Sequence, residues 1–156
     1  MKKLPLLVLF VIECMCFSQE LSIDSNANKK NNLSFGFFDG RTGHTFISYS
    51  HDYYQKEKNE LFMGFGTFII NTNISLGWKH YFSKKTLSPF STTSLHYSFT
   101  TARPEESAIF PSITIGSEYE FLKKCSTQFG FLFAAMKTNY GIEYAIWPHV
   151  NFDYRF

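Results

Sequence analysis

From Tyr144 to Phe156 the chain changes character at every step. Tyr144, Ile146, Pro148, Val150, Phe152, Tyr154 and Phe156 are all apolar or aromatic. Between them stand Ala145, Trp147, His149, Asn151, Asp153 and Arg155, of which only two are apolar. Successive side chains of a β-strand point to opposite faces, so this segment makes a strand with one greasy and one polar face. Pro148 cannot donate to a ladder, so a bulge or a local loss of pairing is expected there.

The same period of two recurs upstream. Ile74, Leu76, Trp78 and Phe82 oppose Ser75, Gly77, Lys79 and Tyr81. Leu95, Tyr97 and Phe99 oppose Ser94, His96 and Ser98. Ile113, Ile115, Tyr119 and Phe121 oppose Ser112, Thr114, Gly116, Glu118 and Glu120. Phe129, Phe131 and Phe133 oppose Gln128, Gly130 and Leu132. Eight such runs are legible, at about 33–39, 44–54, 61–70, 74–82, 89–100, 110–121, 126–137 and 142–156. The separators carry Gly, Asn, Asp, Pro or paired Lys, which favour turns: Asp39 to Gly43, Gln55 to Glu60, Asn71 to Asn73, Ser83 to Thr86, Thr101 to Ser107, Leu122 to Lys124 and Thr138 to Gly141. Thr101 to Ser107 is the only one of any size. No helical period appears. The expected fold is all-β, an eight-stranded antiparallel up-and-down barrel.

The N-terminus reads as an address. Met1-Lys2-Lys3 is basic, Leu4 to Phe17 is almost wholly apolar, and Cys16-Phe17-Ser18 offers small residues before a cut ahead of Gln19. That is the layout of a secretory signal peptide, too short to span a membrane as a helix. The expected organisation is therefore a signal peptide over 1–18, a flexible polar leader over 19–32 and a barrel domain over 33–156. Cleavage removes Lys2, Lys3 and Glu13, which lowers the net charge from +2 to +1. So small a charge gives no pull toward nucleic acid. Cys14 and Cys16 leave as well, and Cys125 alone cannot form an internal disulfide.

Alternation does not say which face is wet. A soluble barrel buries the greasy face, and a membrane barrel turns it outward. A mean hydropathy of -0.15 does not separate the two, because only every second residue of a membrane strand meets lipid. Three features favour the outward arrangement. The chain carries an export signal. Its polar faces hold Gly64, Gly66, Gly77, Gly116 and Gly130, which suit a crowded narrow interior. Its greasy faces are rich in Phe and Tyr, which number 19 and 9, and aromatic rings favour membrane interfaces near strand ends.

The ending Val150-x-Phe152-x-Tyr154-x-Phe156 resembles the C-terminal signal of small bacterial outer-membrane β-barrel proteins, a final amphipathic strand that closes on an aromatic. The resemblance implies residence in the bacterial outer membrane. It implies as partners the outer-membrane lipids and the barrel assembly machinery, which in that family recognises the last strand. It also implies a structural or interaction role. This chain departs from the family pattern in lacking long outer loops. A soluble exported barrel that binds a small apolar ligand is the alternative reading.

With the greasy faces outward, Lys79, Glu118, Glu120, Asp153 and Arg155 form an inward polar network. Eight strands enclose room for side chains or one small ligand, so a plug of paired charges is expected rather than a conducting path. His44, His96 and His149 share the inward parity, but they lie on different strands with no ligand spacing, and no metal or other cofactor is expected. His96-Tyr97-Ser98 is similar to the His-x-Ser pair of outer-membrane lipid A deacylases, with Glu105 or Glu106 as a possible carboxylate; Phe99 stands where that family has Asn. A His can activate a Ser nucleophile, so a lipid-modifying enzyme is a further alternative. Gly-rich phosphate loops, C-x-x-C and G-x-S-x-G are absent from the sequence. Lys84-Lys85 and Lys123-Lys124 sit at expected turns, within reach of anionic headgroups.

Overall fold

Eight strands follow one another around a single closed sheet, each hydrogen-bonded to its neighbours in sequence. They are β1 (Asn31–Phe37), β2 (Ile47–Lys56), β3 (Asn59–Phe68), β4 (Asn71–Tyr81), β5 (Leu87–Thr100), β6 (Arg103–Leu122), β7 (Cys125–Thr138) and β8 (Gly141–Arg155). All pairings are antiparallel, and β1 closes on β8 from Asn32↔Arg155 to Phe37↔Val150. This is a computed structural model, and it describes residues 30–56, 58–83, 85–100, 103–138 and 141–156. The expected signal peptide and nearly all of the expected leader lie outside the described residues. β1 opens at Asn31, two residues before the run read from the sequence.

Closure leaves no free sheet edge along the lower wall, so every strand there finds a ladder partner on both sides. The start of β1 and the end of β8 meet. Asn31 N donates to Phe156 O at 3.1 Å, and Phe156 N donates to Asn31 O at 2.9 Å. The short β2–β3, β4–β5 and β6–β7 connections lie at this same end, called here the terminal end.

At the far end the wall is uneven. β1 has 7 residues, while β6 has 20 and β8 has 15. β6 is long because Arg103 pairs with Thr100, so Arg103 to Ser107 are strand and not the loop expected there. The β3–β4 turn sits at Ile69 and Ile70, not at Asn71 to Asn73. Ile69 adopts a φ of 55°, which is strained for a β-branched residue. The asparagines are drawn into β4 because their side chains have partners: Asn73 Nδ2 donates to His44 O at 3.0 Å, and Asn71 Oδ1 accepts from Thr100 at 2.8 Å. Pro148 fits without a bulge. It pairs with Phe131 of β7, while β1 has already ended at Val150 on its other side.

The faces are inverted relative to a soluble protein. Phe131 is 55% exposed and Phe152 is 53% exposed, and Phe65, Leu76, Leu95, Ile115, Phe129, Ile146 and Val150 also face out. The inward face carries Ser34, Ser48, Ser50, Ser75, Lys79, Ser94, Thr114, Glu118, Gln128, His149, Asn151 and Asp153, all buried. The apolar centre among the described residues is small: Phe110, Leu132 and Ala134, with Met136 and Trp147 against them.

The segment between β1 and β2 does not cap the barrel from outside. Phe38 takes a φ of 56°, and the chain then turns into the lumen. Asp39, Gly40, Arg41, Thr42, Gly43 and Thr45 are all buried. Asp39 organises the turn as a local acceptor. Its carboxylate takes the Arg41 N–H at 2.9 Å, the Thr42 hydroxyl at 2.9 Å and the Ser48 hydroxyl. Two glycines on β3 make room for this plug. A Cβ at Gly64 would stand 2.5 Å from Thr42 Cγ2, and one at Gly66 would stand 2.6 Å from Thr45 Cγ2.

Candidate functional site in the lumen

The inward side chains divide into two charge clusters near the terminal end. The first gathers Lys79, Glu118 and Arg155 from the expected set. Alternation on β4, β6 and β8 turns all three inward, and closure of the sheet brings them together. Lys79 Nζ donates to Glu118 Oε2 at 2.8 Å, and Arg155 Nη2 donates to Glu118 Oε1 at 2.7 Å. Tyr81 completes the group: its hydroxyl donates to Glu118 Oε2 at 2.7 Å and accepts from Arg155 Nη2 at 2.7 Å. The Lys79 ammonium also lies 4.1 Å from the centre of the Phe90 ring and 4.8 Å from that of Tyr81. Asp153 points inward as expected but stands apart from this group, accepting from Gln128.

Glu120 departs from the expectation. It is exposed, near the last turn of β6 at the terminal end. It keeps regular pairing opposite the buried Ser126, and the register slips only beyond it at Phe121, so its exposure reflects its place at the rim.

The second cluster was not read from the sequence. Arg41, at the tip of the plug, donates to Asp52 and, at 2.6 Å, to Glu60. Its Nη1 also donates to Ser50 Oγ at 3.3 Å, and its guanidinium lies 4.9 Å from the Phe62 ring centre. Asp52 takes a further bond from Asn32 at 3.1 Å, and Glu60 takes one from Gln55 at 3.0 Å. Asp39 to Gly43 forms a turn, as its residues suggest, but turn chemistry alone does not show that Arg41 enters the lumen. A signal was present all the same: Asp52 shares its parity with Ser48 and Ser50, so the inward face carries more carboxylates than Lys79 and Arg155 can neutralise. A buried carboxylate demands a cation, and Arg41, 11 residues before Asp52, supplies it.

The histidines take separate places. His96 is fully buried, stacks on Phe110 with centroids 4.9 Å apart and bonds through Nε2 to Ser112 Oγ at 2.7 Å. Its bond is thus made to a residue across the β5–β6 pairing, not to Ser98. His149 is also fully buried and presents its ring edge-on to Phe90. His44, in the plug, belongs to a stack of rings at the far end. Phe38 lies 5.0 Å from His44 and 5.5 Å from Trp147, and His44 lies 4.8 Å from Phe68. This stack bridges β8 and β3 above the point where β1 and β2 stop. Among the described residues no group of three or more His, Cys, Asp or Glu is placed to hold a metal ion.

The proposed C-terminal signal residues lie on the outer face. Val150, Phe152 and Phe156 are exposed, and Tyr154 is half-exposed with its ring 5.9 Å from that of Phe156. Chemically, the lumen is a set of fixed ion pairs and hydrogen-bonded carboxylates wrapped around an inserted segment. No protein-family model matches the chain, and no curated protein matches it in sequence.

Proposed function

We propose that this chain is a small integral β-barrel of the bacterial outer membrane with a structural or interaction role. The observation that carries this reading is the inversion of the two faces around a closed sheet. A large apolar side chain left in water forfeits roughly 1.5–3 kcal/mol relative to burial. The outer wall repeats that loss on every strand, whereas a hydrocarbon solvent removes it. β3 has 10 residues and β4 has 11, close to the nine to eleven that a tilted strand needs to cross a bilayer. Outer-membrane lipids are then the solvent of the wall. The barrel assembly machinery is the proposed partner of Val150, Phe152, Tyr154 and Phe156.

The lumen supports a closed barrel over a conduit. The Arg41 plug and the Glu118 cluster occupy its axis, and an eight-stranded barrel has little room beyond its own side chains. A largely polar, plugged interior also disfavours the soluble reading, since the plug fills the space a small apolar ligand would take. The decisive experiment combines cell fractionation with gel migration before and after heating. The expected result is a membrane-fraction protein whose unheated band migrates differently from the heated one. Replacing both Phe152 and Tyr154 with Asp should abolish that behaviour, because it removes two outward aromatic rings from the closing strand and puts charge on the lipid face. A parent protein found in the soluble fraction without detergent would overturn the reading.

A further inference from the structure

The basic side chains on the outside are not spread evenly. Lys30, Lys56, Lys58, Lys85 and Lys123 are exposed, Lys124 is half-exposed, and all lie at the terminal end. Among the described side chains the far end has one exposed lysine, Lys137, and it is accompanied by the exposed Glu143. At the terminal end Glu120 is the exposed acidic counterpart.

These lysines sit directly beyond the apolar wall. Lys56 follows exposed Tyr53 and Tyr54. Lys85 lies between exposed Phe82 and Leu87. Lys123 and Lys124 follow exposed Phe121 and Leu122. Lys58 is held in place at this border, since its Nζ donates to the Phe82 carbonyl at 2.9 Å. A long aliphatic stem along an apolar surface with its ammonium at the edge is the arrangement in which lysine reaches the polar layer of a membrane.

We propose that this lysine collar binds the phosphates of anionic glycerophospholipids in the leaflet that surrounds the terminal end. The proposal rests on the membrane reading above and extends it: one leaflet is selected by charge as well as by apolarity. The collar spans all three hairpin connections of that end, so it engages several lipids around the perimeter rather than one in a pocket. Attraction of this kind is electrostatic and falls away with added salt.

The test uses Trp78, which is exposed on β4 toward the terminal end. The sequence holds 2 Trp, so the W147F variant leaves Trp78 as the sole indole. The full chain is refolded into phosphatidylcholine vesicles that contain either brominated phosphatidylcholine or brominated phosphatidylglycerol, and quenching gives their relative association constant. At low salt the anionic lipid is expected to be favoured by about fivefold, the factor one lysine is worth near an anionic surface. Replacement of Lys56, Lys58, Lys85, Lys123 and Lys124 by Gln, or salt at about 0.5 M, should bring the ratio to one. A ratio of one in the parent, or a preference that the Gln variant keeps, would overturn the collar while leaving the membrane reading intact. Trp78 unquenched by brominated phosphatidylcholine as well would overturn both.

Discussion

Arg41 is the residue whose removal the structure makes most costly. It is 2% exposed, and it is the cation shared by Asp52 at 1% exposure and Glu60 at 0%. Arg41→Ala would leave two buried carboxylates facing one another without their counter-charge. It would also empty the space beside the Phe62 ring. Breaking a buried ion pair from one side costs about 3–5 kcal/mol, mostly the penalty of the charge left behind. Asn32 and Gln55 still donate to these carboxylates, so the lower half of that range is expected, about 3 kcal/mol. Urea unfolding of the vesicle-inserted barrel, followed by tryptophan emission, measures it. The control is the triple variant Arg41→Met with Asp52→Asn and Glu60→Gln, which removes the charges together with their cation. It should recover most of the loss, because a neutral, hydrogen-bonded replacement for a buried ion pair is often no less stable. A loss under about 1 kcal/mol for Arg41→Ala, the value of an exposed pair, would refute the assignment of Arg41 to the interior. So would a triple variant no more stable than the single one.

Two further substitutions probe the same interior. Glu118→Gln should destabilise the barrel by about 3 kcal/mol in the urea assay, because Lys79 and Arg155 lose their shared carboxylate, whereas Glu120→Gln at the exposed strand end should stay within about 0.5 kcal/mol. Gly66→Val would drive a side chain into Thr45 and Ser48, so a loss of about 1–3 kcal/mol is expected, together with maleimide labelling of a Thr42→Cys reporter that stays unlabelled in the Gly66 parent.

Most of the wall was legible in the sequence because its physics is local. Inward and outward parity follows from pleating alone, and Lys79, Glu118, Asp153, His96 and His149, which share the polar parity, are buried. Parity carries no information on depth: Glu120 keeps its register opposite buried Ser126 yet is exposed, because the wall there has reached its rim. Turn chemistry marks Asp39 to Gly43 correctly but not the direction of the turn, because Asp and Gly bend a chain equally well toward solvent or toward a lumen. What decides the direction is Arg41, and its partners Asp52 and Glu60 are 11 and 19 residues away. Thr101 to Ser107 was read as a loop from Pro104 and two glutamates, yet the β5–β6 ladder reaches Arg103. Its extent is set by a cross-strand partner and not by the segment itself. The closure of β1 on β8 links the two ends of the described chain, a relation that no window of neighbouring residues contains.

The plug also bears on how such a barrel can be made. Its charged anchors Asp52 and Glu60, with Ser48, Ser50, Gly64 and Gly66, belong to β2 and β3, the two strands that follow it in the chain, while Asn73 of β4 and Thr114 of β6 add bonds to its carbonyls from further along. A β1–β3 sheet can therefore curl around the segment before any distant strand arrives. The remaining strands then wind onto a mandrel already in place, and the β1–β8 seam shuts last over an interior that never needs to be filled from outside.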